Sequence, residues 1–155
     1  AIADTSWKEV TSALEHSEDL LAHLLNGDEE DVATNVAEVH EQNTSILKYN
    51  DENSLACVLS LAFYTARNRY EMIRELPTGK GFADMVLLPY RHVDAPAIVL
   101  ELKWNNDADT AISQIKLQGY GKSLMHYVGD VILVGINYDK QTKVHSCKIE
   151  KIVKK

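Results

Sequence analysis

Two short apolar stretches that each contain a carboxylate constrain the fold of this chain most strongly. Residues 82–89 read FADMVLLP and include Asp84, and residues 97–103 read AIVLELK and include Glu101 and Lys103. Apolar segments of this length between turn-forming residues are typical of buried β-strands. Charged groups in such strands need partners or a bound metal, because burying them alone costs several kcal/mol.

The position of these charges on the strands predicts a shared pocket. Side chains alternate between the two faces of a strand, so Glu101 and Lys103 should point the same way, while Leu100 and Leu102 point the other way. Glu-x-Lys alone is weak evidence, since a solvated strand end also explains it. Asp84 is also explained as a strand-start residue that accepts hydrogen bonds in a turn. Together, two carboxylates and a lysine suit Mg²⁺-assisted or Mn²⁺-assisted hydrolysis of a phosphodiester.

The rest of the chain predicts an α/β fold. Helices are predicted over residues 7–25 and 28–43, and a third begins at Asn50 or Asp51 and continues to Phe63. Strand patterns at 70–76, 82–89 and 97–103 are joined by short turns, so they predict an antiparallel meander. We expect a following helix to be capped by Asp109 or Thr110 and to include Ile112, Ile115, Leu124 and Tyr127. Strands are then predicted at 131–136 and 143–152, the last at an edge of the sheet.

Charge is distributed unevenly along the chain. The net charge is −7, but residues 1–49 have a balance of −9 and residues 50–155 a balance of +2. We therefore divide the chain into a helical linker or preface, 1–49, and a main domain, 50–155. Because the negative charge is concentrated in the preface, the net charge of the whole chain does not exclude nucleic acid as a partner of the main domain. No apolar run is long enough for a membrane span and no signal peptide is evident, so we expect a cytoplasmic protein.

Several other polar residues carry weaker signals. Glu52 lies on the apolar face of the third predicted helix, although a first-turn glutamate that interacts with the helix dipole is an equal explanation. The six histidines have no metal-ligand spacing and are interpreted as surface or helix residues. Cys57 and Cys147 are interpreted as packing residues in a reducing compartment. Gln114 and Tyr120 are not distinguished by spacing alone.

These motifs resemble a known family. Asp84 and Glu101-Leu-Lys103 within an αβββαβ order are similar to the PD-(D/E)XK nuclease superfamily. More narrowly, the motifs of residues 74–75, 79–84, 98–103 and 114–120 resemble the C-terminal nuclease-like domain of bacterial proteins with an upstream AAA-ATPase-like domain. The resemblance implies a restriction-endonuclease-like core with a mixed central sheet, preceded by a small helical segment, and an ATPase domain as partner.

The resemblance also implies roles for individual residues. Asp84 and Glu101 would bind Mg²⁺ or Mn²⁺, and Lys103 would orient the attacking water or stabilise charge on the phosphate. Glu52 would be an outer ligand, while Gln114 and Tyr120 would support the pocket or contact substrate. The substrate is expected to be DNA rather than RNA. The alternative is a nuclease-fold module that cuts little and binds nucleic acid, or a partner protein, for the attached ATPase.

Overall fold

The computed structural model describes residues 17–42, 63–75, 84–117 and 127–153. Within them helices precede three consecutive strands, and a further helix and two strands follow, which is the order that the sequence predicts. The elements are helix α1 (residues 17–26), helix α2 (Glu29–Gln42), a 3₁₀ helix (Tyr64–Asn68), strands β1 (Tyr70–Glu75), β2 (Asp84–Pro89) and β3 (Ala97–Trp104), helix α3 (Ala108–Leu117), and strands β4 (Val131–Asp139) and β5 (Val144–Ile152).

The five strands form one mixed sheet in the order β1-β2-β3-β4-β5. The first three strands form the predicted antiparallel meander, and β5 is at the predicted edge. Strand β4 runs parallel to β3 and antiparallel to β5. Because parallel strands need a crossover, α3 lies in the connection between β3 and β4. The α/β class and the mixed central sheet are therefore confirmed.

Alternation along β3 divides the core into two layers. Ile98, Leu100 and Leu102 pack in one cluster with apolar residues of α1 and α2. Ala97 and Val99 pack on the opposite face with Ile112 and Ile115 of α3. Helices thus cover both faces of the sheet, and a side chain at an odd-numbered position of β3 faces α3.

The acidic front part of the chain contributes to this core. Gly27, at φ 79°, ends α1 in the left-handed conformation that favours glycine, as the Asn-Gly pair predicts. Three carboxylates in the first turn of α2 are favoured by the helix dipole. Leu20, Leu24, Val32 and Val36 are fully buried in the sheet's core cluster. The boundary after residue 49 stays a prediction.

The predicted start of α3 is wrong by two or three residues. The helix begins at Ala108, and Asp107 is its cap, because the Asp107 carboxylate accepts a 2.6 Å hydrogen bond from the Thr110 backbone N–H. This bond lowers the pKa of Asp107. A side-chain acceptor three residues before the bonded N–H is the ordinary capping geometry, so Asp109 and Thr110 lie inside the first turn.

Tyr127 lies outside any helix, contrary to the sequence prediction. Its hydroxyl donates a 3.4 Å hydrogen bond to the Ala95 carbonyl in the turn before β3. Leu124 and most of the predicted third helix lie outside the described residues. Phe63, the predicted end of that helix, directly precedes the 3₁₀ helix.

Two further outcomes concern the predicted environment of the chain. Among the described helices, none combines the length and apolar character needed to cross a bilayer. The cytoplasmic location stays a prediction. Cys147 is buried on β5 in the main core cluster, in agreement with its predicted packing role, while Cys57 lies outside the described residues.

Candidate active site

Glu101 and Lys103 lie side by side on the central strand β3. They share the face that packs against α3, and their exposed fractions are 0% and 2%. The Lys103 Nζ is 4.0 Å from the Glu101 Oε1. The predicted same-face arrangement is therefore present, and the alternative of a solvated strand end does not fit a pair this deeply buried.

The Glu101 carboxylate has unused acceptor capacity. Neither Oε1 nor Oε2 accepts a hydrogen bond in the part of the chain that the structure describes. An ionised carboxylate in a dry site is costly, and one lysine at 4.0 Å only partly compensates the lost hydration. Two buried oxygens with open lone pairs are suited to a hard cation, so the residues present fit Mg²⁺ or Mn²⁺.

The sheet register brings Asp84 next to Glu101. Met85 pairs with Leu100 in the antiparallel β2–β3 ladder. Asp84, the first residue of β2, precedes Met85 directly, and Glu101 follows Leu100, so both residues lie at the same end of this ladder. The backbones of two of the predicted metal ligands are thus neighbours in the sheet, whereas Glu52 and Tyr120 lie outside the described residues.

Gln114 connects α3 to the pair on β3. Its Oε1 accepts a hydrogen bond from the Lys103 Nζ. The bond crosses from helix to sheet, so the position of α3 restricts where the ammonium group can lie. Gln114 was expected to support the pocket only through the resemblance, and the structure places it in contact with Lys103.

Gly135 allows α3 to approach the sheet beside Glu101, with which it pairs in the parallel β3–β4 ladder. A Cβ at this position would lie 2.9 Å from the Ala111 Cβ and closer still to the Ala108 carbonyl oxygen. The sequence analysis did not identify this residue. A lone glycine in an otherwise apolar strand was the available signal, because such a glycine often marks a close backbone approach.

Asn137 is a second residue that the sequence analysis missed. It pairs with Lys103, has an exposed fraction of 4%, and accepts a 3.0 Å hydrogen bond from the Asn106 N–H through its Oδ1. The adjacent Asn105 has φ 53° and donates its N–H to the Tyr138 carbonyl at 2.8 Å. These bonds attach the β3–α3 loop to the end of β4 and so fix where α3 begins.

A different group of potential ligands lies on the other side of the sheet. Ligand atoms of His23 on α1, Asp28 in the following turn and Asp31 on α2 lie within 4.8 Å of one another. The imidazole Nδ1 lies 3.6 Å from the Asp28 carboxylate and 3.8 Å from the Asp31 carboxylate. Both carboxylates are exposed, and an ion pair at the surface contributes little to stability. The histidine spacing did not predict this cluster, and it is separated by the sheet from Glu101.

One histidine prediction is wrong. His145 is buried on β5 rather than exposed, and it packs against the rings of His40 and Tyr138. Burial, together with the nearby His40, lowers the pKa of His145 to about 4. The imidazole is therefore neutral over most of the physiological pH range.

The fold and the pair on β3 define a class of protein. A mixed five-stranded sheet with helices on both faces, and with the buried Glu101–Lys103 pair on its central strand, is consistent with a restriction-endonuclease-like core. A family model described as the PD-(D/E)XK nuclease superfamily matches residues 50–148, well over half of the chain. The chain therefore belongs to the PD-(D/E)XK nuclease superfamily, whose members are generally nucleases. A search of curated proteins found no significant match.

Proposed function

We propose that this chain is a metal-dependent nuclease that hydrolyses phosphodiester bonds of DNA, or of RNA. The observation that carries the proposal is the Glu101 carboxylate, which is fully buried beside Lys103 with no hydrogen bond to either oxygen from the described residues. Buried charged groups with incomplete pairing are concentrated at functional sites. Membership of a nuclease superfamily supports the same reaction class.

Asp84 and Glu101 are the proposed holders of Mg²⁺ or Mn²⁺. Their neighbouring positions in the sheet would bring oxygens from two strands together, and one or two carboxylates with water and substrate phosphate usually suffice for such ions. The bound cation would lower the pKa of a coordinated water and offset negative charge on the phosphate. Glu52 is proposed as an outer ligand from the family resemblance.

Lys103 is proposed to provide a fixed positive charge for the phosphate. Lys103 is 2% exposed, and its ammonium is held by contacts with Glu101 and Gln114, so its position is set before substrate binds. Preorganised charges of this kind stabilise developing negative charge more effectively than mobile ones. Gln114 is proposed to orient the ammonium, and Tyr120 to support the pocket or contact substrate.

The test is cleavage of labelled single-stranded, double-stranded and branched DNA, and of RNA, with Mn²⁺ or Mg²⁺ and with an EDTA control. Asp84→Ala and Lys103→Ala should abolish cleavage while the circular dichroism spectrum stays native. Asp19→Ala and Lys140→Ala are matched controls, because they remove an exposed carboxylate on α1 and an exposed lysine that follows β4. Retained cleavage in Asp84→Ala or Lys103→Ala would contradict the assignment.

A second candidate function is a coupling module for an attached AAA-ATPase-like domain. The observation that favours it is the exposed acidic surface of α1 and α2, on the face of the sheet away from Glu101. Its exposed carboxylates are Glu18, Asp19, Asp28, Glu30, Asp31 and Glu41. Such a surface suits a basic protein partner. Mn²⁺ binding without cleavage of any substrate would favour this candidate over the nuclease.

A further inference from the structure

Basic and aromatic side chains are concentrated at the end of β1 and β2 that is remote from Asp84. The chain has four arginines, and three of them, Arg67, Arg69 and Arg91, are exposed at this end. Tyr64 and Tyr90 are exposed there by 48% and 40%, and His92 is also exposed. We call these six residues the Arg-Tyr patch.

The patch is built from two segments joined by a backbone hydrogen bond. The Tyr90 N–H donates to the Arg69 carbonyl at 3.0 Å, which extends the β1–β2 pairing into the turn after β2. The 3₁₀ helix of residues 64–68 precedes β1 directly, and Thr65 is attached to α1 through two 2.8 Å hydrogen bonds with Ser17. The patch is therefore formed by the 3₁₀ helix, the residue before β1 and the first three residues after β2.

Its rings and guanidinium groups have the geometry of a stacking surface. The Arg67 guanidinium carbon lies 5.3 Å from the centre of the Tyr64 ring, which is a cation–π distance. The Tyr90 and His92 rings are parallel to within 1°, with centroids 6.2 Å apart. Aromatic faces and arginine planes of this kind are surfaces on which unpaired nucleobases stack.

The charge of the patch also suits a nucleic acid. Among the described residues, Arg67, Arg69 and Arg91 form no ion pair, so their charges are available to phosphates. Asp94 and Asp130 line the neighbouring surface cleft with Tyr90 and Arg91. Phosphates are therefore disfavoured beside these two carboxylates and favoured beside the guanidinium groups of the patch.

We infer that the Arg-Tyr patch binds unpaired nucleotides, and that the substrate of this nuclease is single-stranded nucleic acid or a duplex with a single-stranded segment. The inference rests on the proposed function and names its substrate class. A base pair buries the faces of its bases in the helical stack, so stacking on Tyr64 or Tyr90 requires an unpaired strand. The patch lies at the Pro89 end of β2 and Asp84 lies at the other end, and the strand rises about 3.3 Å per residue between them. Nucleotides bound by the patch would therefore be separated from the cleaved phosphate by about the length of β2.

Binding measured in EDTA tests the inference without cleavage. The probe is a fluorescein-labelled single strand of about 20 nucleotides, longer than the roughly 4–16-nucleotide sites of other single-strand binders, beside the same sequence as a blunt duplex. Fluorescence anisotropy should give tighter binding of the single strand. Tyr90→Ala should weaken it about 5- to 150-fold, because stacking contributes about 1–3 kcal/mol per base.

The salt dependence of the binding constant tests the role of the arginines separately. Arg67→Ala/Arg91→Ala should reduce the slope of log K against log salt by about 1.4, since each phosphate contact on a single strand contributes about 0.7. Lys140→Ala/Lys151→Ala removes the same charge from exposed positions elsewhere, and it should leave the slope unchanged. A purely structural effect of the arginine substitutions would lower affinity without this change in slope.

The outcomes separate this inference from the proposed function. Equal affinity of wild type, Tyr90→Ala and the double arginine variant would overturn the inference, and so would a duplex that binds as tightly as the single strand. Single-strand binding that depends on the patch, without metal-dependent cleavage, would support the inference and overturn the nuclease. Cleavage of blunt duplex with no effect of the patch variants would support the nuclease and overturn the inference.

Discussion

The Glu101–Lys103 pair should lower the stability of the metal-free protein. Removing one partner leaves the other charge buried, so Lys103→Met should reduce the free energy of unfolding by about 3–5 kcal/mol. Replacing both residues removes two desolvated charges while retaining their apolar packing volume. Glu101→Leu/Lys103→Met should therefore raise the free energy of unfolding by about 1–4 kcal/mol, the range measured when buried ion pairs become apolar.

The magnitudes follow from the burial and contacts of the pair. Exposed fractions of 0% and 2% mean that both groups lose nearly all hydration, and the 4.0 Å separation is the outer limit of an ion pair. The Glu101 oxygens gain no hydrogen bond from the described residues. Coulombic attraction therefore compensates little of the desolvation cost, which is why the double substitution should be more stable than wild type.

Urea unfolding in EDTA, followed by circular dichroism, measures these differences. The same titration with Mn²⁺ adds a second readout, because a ligand at 100 times its Kd stabilises the native state by about 2.7 kcal/mol. Wild type should gain this stability and the double variant should not. A double variant that is less stable than either single variant, or that gains as much from Mn²⁺ as wild type, would refute the reasoning.

Three further predictions concern other parts of the core. Gly135→Ala should cost about 1–3 kcal/mol by overpacking against α3, and it should reduce cleavage because Gln114 moves with the helix; urea unfolding and the nuclease assay check both. The pKa of His145 is about 4 in the folded chain and about 6.5 when unfolded, so the unfolded chain binds more protons between these values. Stability should be complete above pH 6.5 and fall by about 3 kcal/mol towards pH 4, and a His145→Phe variant should lack this fall in pH-dependent unfolding. Burial, followed by the charge of Glu29, raises the pKa of Cys147 to about 12, so in a Cys57→Ser background iodoacetamide should label it only after unfolding, as mass spectrometry would show.

Local patterns predicted most of the sheet. Apolar runs bounded by turns predicted β2, β3 and β4, because a central strand buried on both faces must be almost continuously apolar. Strand-like patterns predicted the two edge strands, with alternation as the signal for β5. Period-two alternation alone placed Glu101 and Lys103 on one face. The Asn-Gly pair at residues 26–27 predicted the end of α1, since the left-handed residue there has φ 79°.

Features that depend on contacts across the fold were not predictable in this way. The cap of α3 was misplaced because Asp107, Asp109 and Thr110 are all acceptable caps, and the Asn137 bond to the β3–α3 loop favours the earliest start. His145 was assigned to the surface because nothing near it in sequence indicates the packing of α2 against β5. Gly135 and Asn137 act on residues more than thirty positions earlier, through a parallel pairing that sequence spacing does not show.

The arrangement around Glu101 is explained by function rather than by folding. A leucine at this position of β3 would be packed by Val99 and α3 without any charge to compensate, and the sheet would keep its register. Instead the chain buries a carboxylate at 0% exposure beside the ammonium of Lys103, which Gln114 holds from the facing helix. The burial of the Glu101 carboxylate is unfavourable for the apo fold, and under the proposed function a cation and a phosphate would compensate it. Places where local stability rules are broken without compensation are where function is expected, and here they coincide with the residues that the sequence first singled out.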